Sequence, residues 1–346
     1  MQLAHRRPDR PRRQEGIIMT IRNWNEEDRR GALALWNREA VRDGYKPLDE
    51  AGFAALIAEH PQFDPGTAFV AEAGGELRGL AIGCTGDELP LGAQAGYITC
   101  VLADAALGEA EADRLRRELL SRLERRFAEL GKTQADVLFF NPMRLPWLVP
   151  GTPGHEHNNA PGAPAGGALH RLLLEAGYAE RSLQHGMHLD LAQFDVPEDI
   201  LLKRSRAAAE GYAVERLDPT RHTGLEELLD ALGNPLWQRE IADCAARGVP
   251  VVAAVYGSRL VGFAGPVVRE PSGRGYFAGI GVHPEHEGHG LGSLLFFSLC
   301  EAFRSIGTDY MTLFTGSENP ALRIYDKAGF KTAKTFAVMR KEGIGS

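Results

Sequence analysis

The sequence predicts a mixed α/β protein made of two copies of one unit in tandem. Three observations lead to this. The chain has 346 residues, against a usual domain size of roughly 100 to 200. Strand-like alternation and helix-like apolar stripes follow one another, broken by turns that draw on 40 Gly and 20 Pro. The order of elements then returns in the second half. There Ala328-Gly329-Phe330 matches Ala176-Gly177-Tyr178, each closing a helix before a strand.

In the first copy, 20–24 alternates like a strand, and Ala32, Leu33, Leu35 and Trp36 form the apolar stripe of a helix over 28–37. Residues 67–72 and 77–85 read as strands joined by the Gly74-Gly75 turn, and 97–102 as a third. Leu115, Leu119, Leu120, Leu123, Phe127 and Leu130 recur at helix spacing. Residues 137–140 are a buried-type strand, and 141–167 is too rich in Pro and Gly for regular structure. A helix over 168–176 and closing strands over 184–191 complete the copy.

Residues 195–211, with Pro197 and several charges, read as a linker. The second copy follows as a strand over 213–217, helices over 224–232 and 236–246, and a hairpin of 250–256 with 259–264 across Gly257-Ser258. A strand over 275–282, a helix over 291–306, a strand over 310–315, a helix over 320–328 and a strand over 335–340 finish it.

Composition narrows the function. Charged residues at 25% and hydrophobic ones at 44% fit neither a disordered chain nor a membrane protein. A net charge of −7 repels polyphosphate backbones, so nucleic acid is not an expected partner. Cys84, Cys100, Cys244 and Cys300 have no CxxC spacing, no apolar run reaches membrane length, and a cytoplasmic location is expected. The arginine-rich stretch 1–18 has no signal-peptide core and is expected to be a disordered extension.

Chemistry concentrates in Gly281-Val282-His283-Pro284-Glu285-His286-Glu287-Gly288-His289-Gly290-Leu291-Gly292-Ser293. A strand enters it, Pro284 ends ladder pairing, and three alternate glycines open a helix built on Leu294, Leu295, Phe297, Leu299 and Phe303. Free N–H groups at such a helix start favour anions, and glycines let a ligand approach the backbone. The spacing is neither the GxGxxG dinucleotide fingerprint nor a Walker loop. A phosphate cradle and a purely structural turn both stay open.

These residues resemble the GNAT superfamily of acyl-CoA-dependent N-acyltransferases. There a strand ending Val-x-Pro is followed by Arg/Gln-x-x-Gly-x-Gly/Ala, which Glu287 to Gly292 matches except at its first position. The stretch Asn319-Pro320-Ala321-Leu322-Arg323-Ile324-Tyr325-Asp326-Lys327-Ala328-Gly329-Phe330 is similar to the family's later helix. The resemblance is close over 212–342 and in outline over 19–195. It implies two GNAT-like domains, 19–195 and 196–346 with a linker at 196–211, each a mostly antiparallel twisted sheet flanked by helices.

It also implies roles. Amides of Gly288, His289, Gly290, Leu291, Gly292 and Ser293 would hold the coenzyme A pyrophosphate, with Glu287 beside them. Main chain at Ile280 and Val282 would pair with the pantetheine arm, the Val282 amide facing the thioester carbonyl. Asn319 would contact the arm, and Tyr325 would protonate the leaving thiolate. A half-buried packing aromatic is the other reading of Tyr325. Glu287 is a carboxylate where the family has Arg or Gln, and His289 is positioned to offset it. The base is open among Glu318, Glu285, His283, Glu270 and a water chain, with Glu318 the named candidate.

In the first copy the glycines are mostly replaced, and Asp104, Glu109, Glu111 and Asp113 stand where a pyrophosphate would lie. It is expected to keep the fold without the cofactor. His155-x-His157 in the long loop offers half of a metal site with no third ligand at a known spacing, so no metal is expected. Trp147 and Trp237 are either pocket linings or packing residues.

The expected activity is transfer of an acetyl group from acetyl-CoA to a primary amine of a small molecule, by a monomer or homodimer that binds neither membrane nor nucleic acid. A non-catalytic CoA-binding sensor and a protein lysine or N-terminal acetyltransferase are the alternatives.

Overall fold

The computed structural model describes residues 19–89, 91–138 and 140–345, and the basic stretch 1–18 lies outside the described residues. The first half begins with β1 (Thr20–Asn23), α1 (Arg29–Glu39) and the single turn α2 (Glu50–Phe53). The hairpin of β2 (Ala68–Ala73) and β3 (Glu76–Cys84) forms at Gly74-Gly75, both at positive φ, as the sequence predicts. β4 (Ala95–Ala103) leads to α3 (Glu109–Glu129), which buries Leu115, Leu119, Leu120, Leu123 and Phe127 against the sheet. β5 (Gln134–Val137) starts and stops three residues earlier than its apolar run suggests, and Phe140 is left exposed.

The stretch 141–167 contains only two-residue strands: β6 (Trp147–Leu148), β7 (Glu156–His157) and β8 (Ala163–Pro164). Then come α4 (Ala168–Glu175) and the long β9 (Ala179–Asp190). Where the sequence reads a linker, the chain forms α5 (Glu198–Ala209) and buries Ile200 and Ala207. Charge and Pro197 suggest a tether, but these two apolar residues stand at helix spacing.

The second half runs β10 (Tyr212–Arg216), α6 (Leu225–Leu232), α7 (Pro235–Ala246), β11 (Val252–Tyr256), β12 (Arg259–Gly265) and β13 (Val268–Arg269). It continues with β14 (Arg274–Tyr276), β15 (Gly279–Val282), α8 (Leu291–Ser305), β16 (Tyr310–Gly316), α9 (Leu322–Lys327) and β17 (Lys331–Glu342). No described helix is long and apolar enough to cross a membrane.

Two departures from the sequence reading position the site. The first is the split of 275–282, which reads as one strand. β14 pairs in parallel with β16, whereas β15 pairs antiparallel with β12 in a separate sheet of order β10-β11-β12-β15. The chain changes sheets at Phe277-Ala278, and a wedge opens between β15 and β16.

The second departure is an exchange of final strands. The large sheet runs β1-β2-β3-β4-β5-β17-β9-β16-β14-β13, with β8 beside β17. β17, from the end of the chain, pairs with β5 of the first half, while β9 of the first half pairs with β16 of the second. Side chains follow the strands. Phe336 on β17 packs with Trp36 and Trp147, its ring 5.3 Å from that of Trp147. Met187 and Leu189 on β9 pack with Leu295 and Phe297 of α8.

Because each half completes the other's core, the chain is expected to unfold in one transition. Phe336→Ala leaves a cavity in the first half's core and should cost about 3 to 5 kcal/mol. In calorimetry it should lower that single transition as a whole. Two transitions, with only one displaced, would contradict a shared core.

Candidate active site

The wedge between β15 and β16 is the mouth of a cavity of about 1010 Å³, lined also by α7, α8, α9 and loop residues of the first half. Its first wall is a free strand edge. The His283 amide donates to the Val261 carbonyl at 2.8 Å, and Gly281 stands opposite Phe263. Alternation in an antiparallel ladder then turns the main chain of Ile280 and Val282 away from β12 and toward the wedge. A Cβ at Gly279 would lie 2.5 Å from Trp237, and one at Gly281 would lie 2.5 Å from Leu232, so the helices pack directly on this strand's backbone. Trp237 Nε1 donates to the Ala278 carbonyl at 3.1 Å, satisfying the strand where it changes sheets. Trp237 therefore packs and lines the cavity, whereas Trp147 is fully buried, with Nε1 bonded to the Asn159 carbonyl.

The second wall is the glycine turn. Gly288 and Gly290 have φ of 86° and 74°, a region that only glycine enters without strain. Among the described residues no hydrogen bond reaches the amides from Gly288 to Ser293, and no side chain caps α8. Gly292 lies outside the left-handed region, and a Cβ there would meet nothing within 4 Å. The fold does not need glycine at 292, and the space over the helix start is open. Clustered donors at the positive end of a helix, with open space above them, fit a phosphate group.

Glu287 is exposed at the rim of this turn. His289 does not offset it, because Glu210 holds its Nδ1 at 2.6 Å and it does not line the cavity. Lys203 on α5 reaches the turn at Gly290, its Cδ 3.8 Å from where a Gly290 Cβ would stand. The residues of the supposed linker thus border the glycine turn.

The third wall is α9. Tyr325 lines the cavity beside Phe296 at 4.9 Å, and its hydroxyl makes no hydrogen bond among the described residues. Burial pushes its pKa above the ordinary tyrosine value, so it keeps its proton. Asn319 also lines the cavity, though its side chain is partly engaged: Nδ2 donates to Thr315 Oγ1 at 2.9 Å and Oδ1 accepts from the Ala321 amide.

None of the four side chains expected as base lines the cavity. Glu318 and Glu285 are exposed, and His283 accepts the Glu285 amide at Nδ1. Both oxygens of Glu270 are held by Arg274, at 2.7 and 2.9 Å. Besides Glu287 at the rim, the cavity is lined by the carboxylate of Glu240 on α7, whose Oε1 accepts from the Tyr276 hydroxyl at 2.7 Å. Sequence reasoning missed it because a glutamate on an amphipathic helix reads as a solvated face. The signal was its place one turn after Trp237.

The first half supplies the remaining wall through Phe140, Arg144, His157, Asn158 and Asn159. His155 and His157 do not share a site. His155 stacks on Tyr310 at 3.8 Å with Nδ1 2.8 Å from His188 Nε2, while His157 stacks on Trp147 and accepts the Asn159 amide at Nδ1. At the position in the first half that corresponds to the glycine turn, Asp104 is buried. Its carboxylate accepts the Ala106 amide and pairs with Arg78 at 2.7 Å.

Burial above all, then the charges of Arg274 and Arg144, holds His157 well below the ordinary histidine value. Burial likewise brings His188 down to about 4. Above about pH 6.5 both folded and unfolded chains keep such a ring neutral; below it, only the unfolded chain takes up the proton. His157 alone should therefore cost about 1 kcal/mol of stability by about pH 5.5. His157→Gln is expected to show a smaller fall in Tm than the unaltered chain between about pH 7.5 and pH 5.5; an equal fall would show that His157 does not titrate this way.

The description "Acetyltransferase (GNAT) family" belongs to the family model that matches residues 216–330. No protein with a curated description matches the chain. Among solved structures, a glucosamine N-acetyltransferase region in a fungal multi-domain GH3 β-N-acetylglucosaminidase is similar over 95% of this chain, with TM-score 0.63 and 16% identity. This chain spans 38% of that one. A GCN5-related N-acetyltransferase from Sphaerobacter thermophilus gives TM-score 0.58 and 16% identity, covering 95% of this chain and 96% of its own. A tandem GNAT protein from the clavulanic acid biosynthesis pathway gives TM-score 0.56 and 17% identity, covering 95% of this chain and 100% of its own. At such identities the likeness is one of fold, and it extends across both halves. Residues 216–330 therefore form a domain of the GNAT acetyltransferase family, and the first half of the chain has the same kind of fold.

Proposed function

We propose that the protein transfers an acetyl group from acetyl-CoA to a primary amine of a small molecule, with the chemistry in the second half. The row of unbonded amides from Gly288 to Ser293, at one end of a cavity that Tyr325 and Glu240 also line, carries this reading. Acetyl-CoA supplies an activated thioester. The amides of the glycine turn hold its pyrophosphate, with Lys203 in place to balance the charge of Glu287. The main chain of Ile280 and Val282 binds the pantetheine arm as an added strand, and the Val282 amide stabilises charge on the carbonyl oxygen. Asn319 borders the arm. Glu240 takes a proton from the incoming amine, steadied by the Tyr276 hydroxyl, and Tyr325 gives its proton to the departing sulfur.

The small-molecule reading draws support from the loop of the first half, whose residues wall the cavity where a peptide would need an open groove. The first half itself takes no acyl-CoA in this scheme. The buried Asp104 carboxylate already occupies the Ala106 amide that an anion would use.

Two measurements test the scheme. Tyr325→Phe should lower kcat on the order of 100-fold while the Kd for CoA stays within about twofold; unchanged kcat would leave a binding module in place of an enzyme. In the unaltered chain kcat should show no loss from Tyr325 below about pH 10, since burial raises its pKa beyond that ordinary value. Gly292→Val fills the space over the α8 start and should weaken CoA binding at least tenfold in calorimetry. Its Tm should move by only a few degrees, because no protein atom is displaced. Intact CoA affinity in this variant would place the pyrophosphate elsewhere.

A further inference from the structure

Where the cavity meets the first half, its charges are unevenly matched. Arg274, 2% exposed, is neutralised by its two-pronged pair with Glu270, with Thr312 Oγ1 3.4 Å from its Nη1. The Glu240 carboxylate receives one hydroxyl, that of Tyr276. Arg144 stands over the Phe140 ring at 6.0 Å and has no ion pair among the described residues. His157 is 5% exposed, and its Nδ1 accepts the Asn159 amide, so the neutral ring carries its proton on Nε2. That N–H has no acceptor among the described residues, although its ring lines the cavity. A donor that opens on a cavity is satisfied there by water or by a ligand.

Two donors, one fully charged, thus face the same cavity as the singly bonded carboxylate of Glu240. Both donors come from the 140–167 region of the first half. We propose that Arg144 and His157 form an anion subsite for the acceptor, so that the substrate is a primary amine that also carries a carboxylate or a phosphate group. This rests on the transfer reading above. The ammonium end lies toward Glu240 and the anionic end toward Arg144, and the first half, without a cofactor site of its own, selects the acceptor for the second. A guanidinium with a second N–H donor suits either oxyanion.

The test compares matched amines with acetyl-CoA as donor: 4-aminobutyrate against its amide, and phosphoethanolamine against ethanolamine. In at least one pair the anionic member should have a kcat/KM at least tenfold higher than its neutral partner, and the pair that shows it identifies carboxylate or phosphate. Arg144→Ala should remove most of that advantage, with the loss carried by KM, and Arg144→Lys should restore part of it. His157→Gln, which keeps an N–H donor, should retain more of the preference than His157→Phe. Equal kcat/KM within both pairs, or a preference that Arg144→Ala leaves intact, would overturn the proposal. Binding of the same amines to the CoA-loaded protein is measured alongside by calorimetry. Anion-selective binding without turnover would defeat the transfer reading and keep the subsite, whereas turnover without anion selectivity would do the reverse.

Discussion

A β-strand edge has one set of hydrogen-bonding groups, and the second half depends on how β15 uses its own. Its pairing with β12 satisfies alternate residues only, and because the chain has left β16 behind at Tyr276, no strand among the described residues takes up the other edge. The cavity, the exposed main chain of Ile280 and Val282, and the placement of the glycine turn at its end all follow from that parting. Trp237 secures the parting by holding the Ala278 carbonyl, and Gly279 and Gly281 let the helices close behind the strand.

Much of this arrangement was legible in the residues. The alternate glycines before an amphipathic helix identified the turn at 288–292, and the spacing of Asn319, Tyr325 and Gly329 put a tyrosine on the facing helix. The hairpin at Gly74-Gly75 and the long α3 stripe were equally plain. What could not be read was pairing. From Gly275 to Val282 no polar or proline residue interrupts the strand pattern, so its division between two sheets is decided by partners far along the chain. The same holds for β9 and β17, whose alternation fits a place beside either β5 or β16. Glu240, Arg144 and His157 share a further difficulty. They meet only when α7 and the long loop line one cavity; nothing local distinguishes Glu240 or Arg144, and the spacing of His157 from His155 pointed to a metal pair instead.

The two halves differ most at the place of the glycine turn. At the start of α8 the backbone donors are left open and the space above them is clear. At the corresponding place in the first half a buried aspartate answers a backbone donor from within and is itself balanced by Arg78. In the function proposed above, an internal carboxylate of this kind takes the place of an external anion. The long loop that follows then becomes free to serve the neighbouring half, whose cavity it walls.

The traded final strands bear on how the chain matures. The slot between β5 and β9 is filled by residues 331–342, which follow all the other strands of the second half, so the first half waits with an open sheet edge while those strands are made. A chain that stopped before β17 would yield neither an orphan lobe nor a partly working one, but a bare strand and a core lacking Phe336. Such a product is the kind that proteases and chaperones intercept, which ties accumulation of the protein to synthesis of β17.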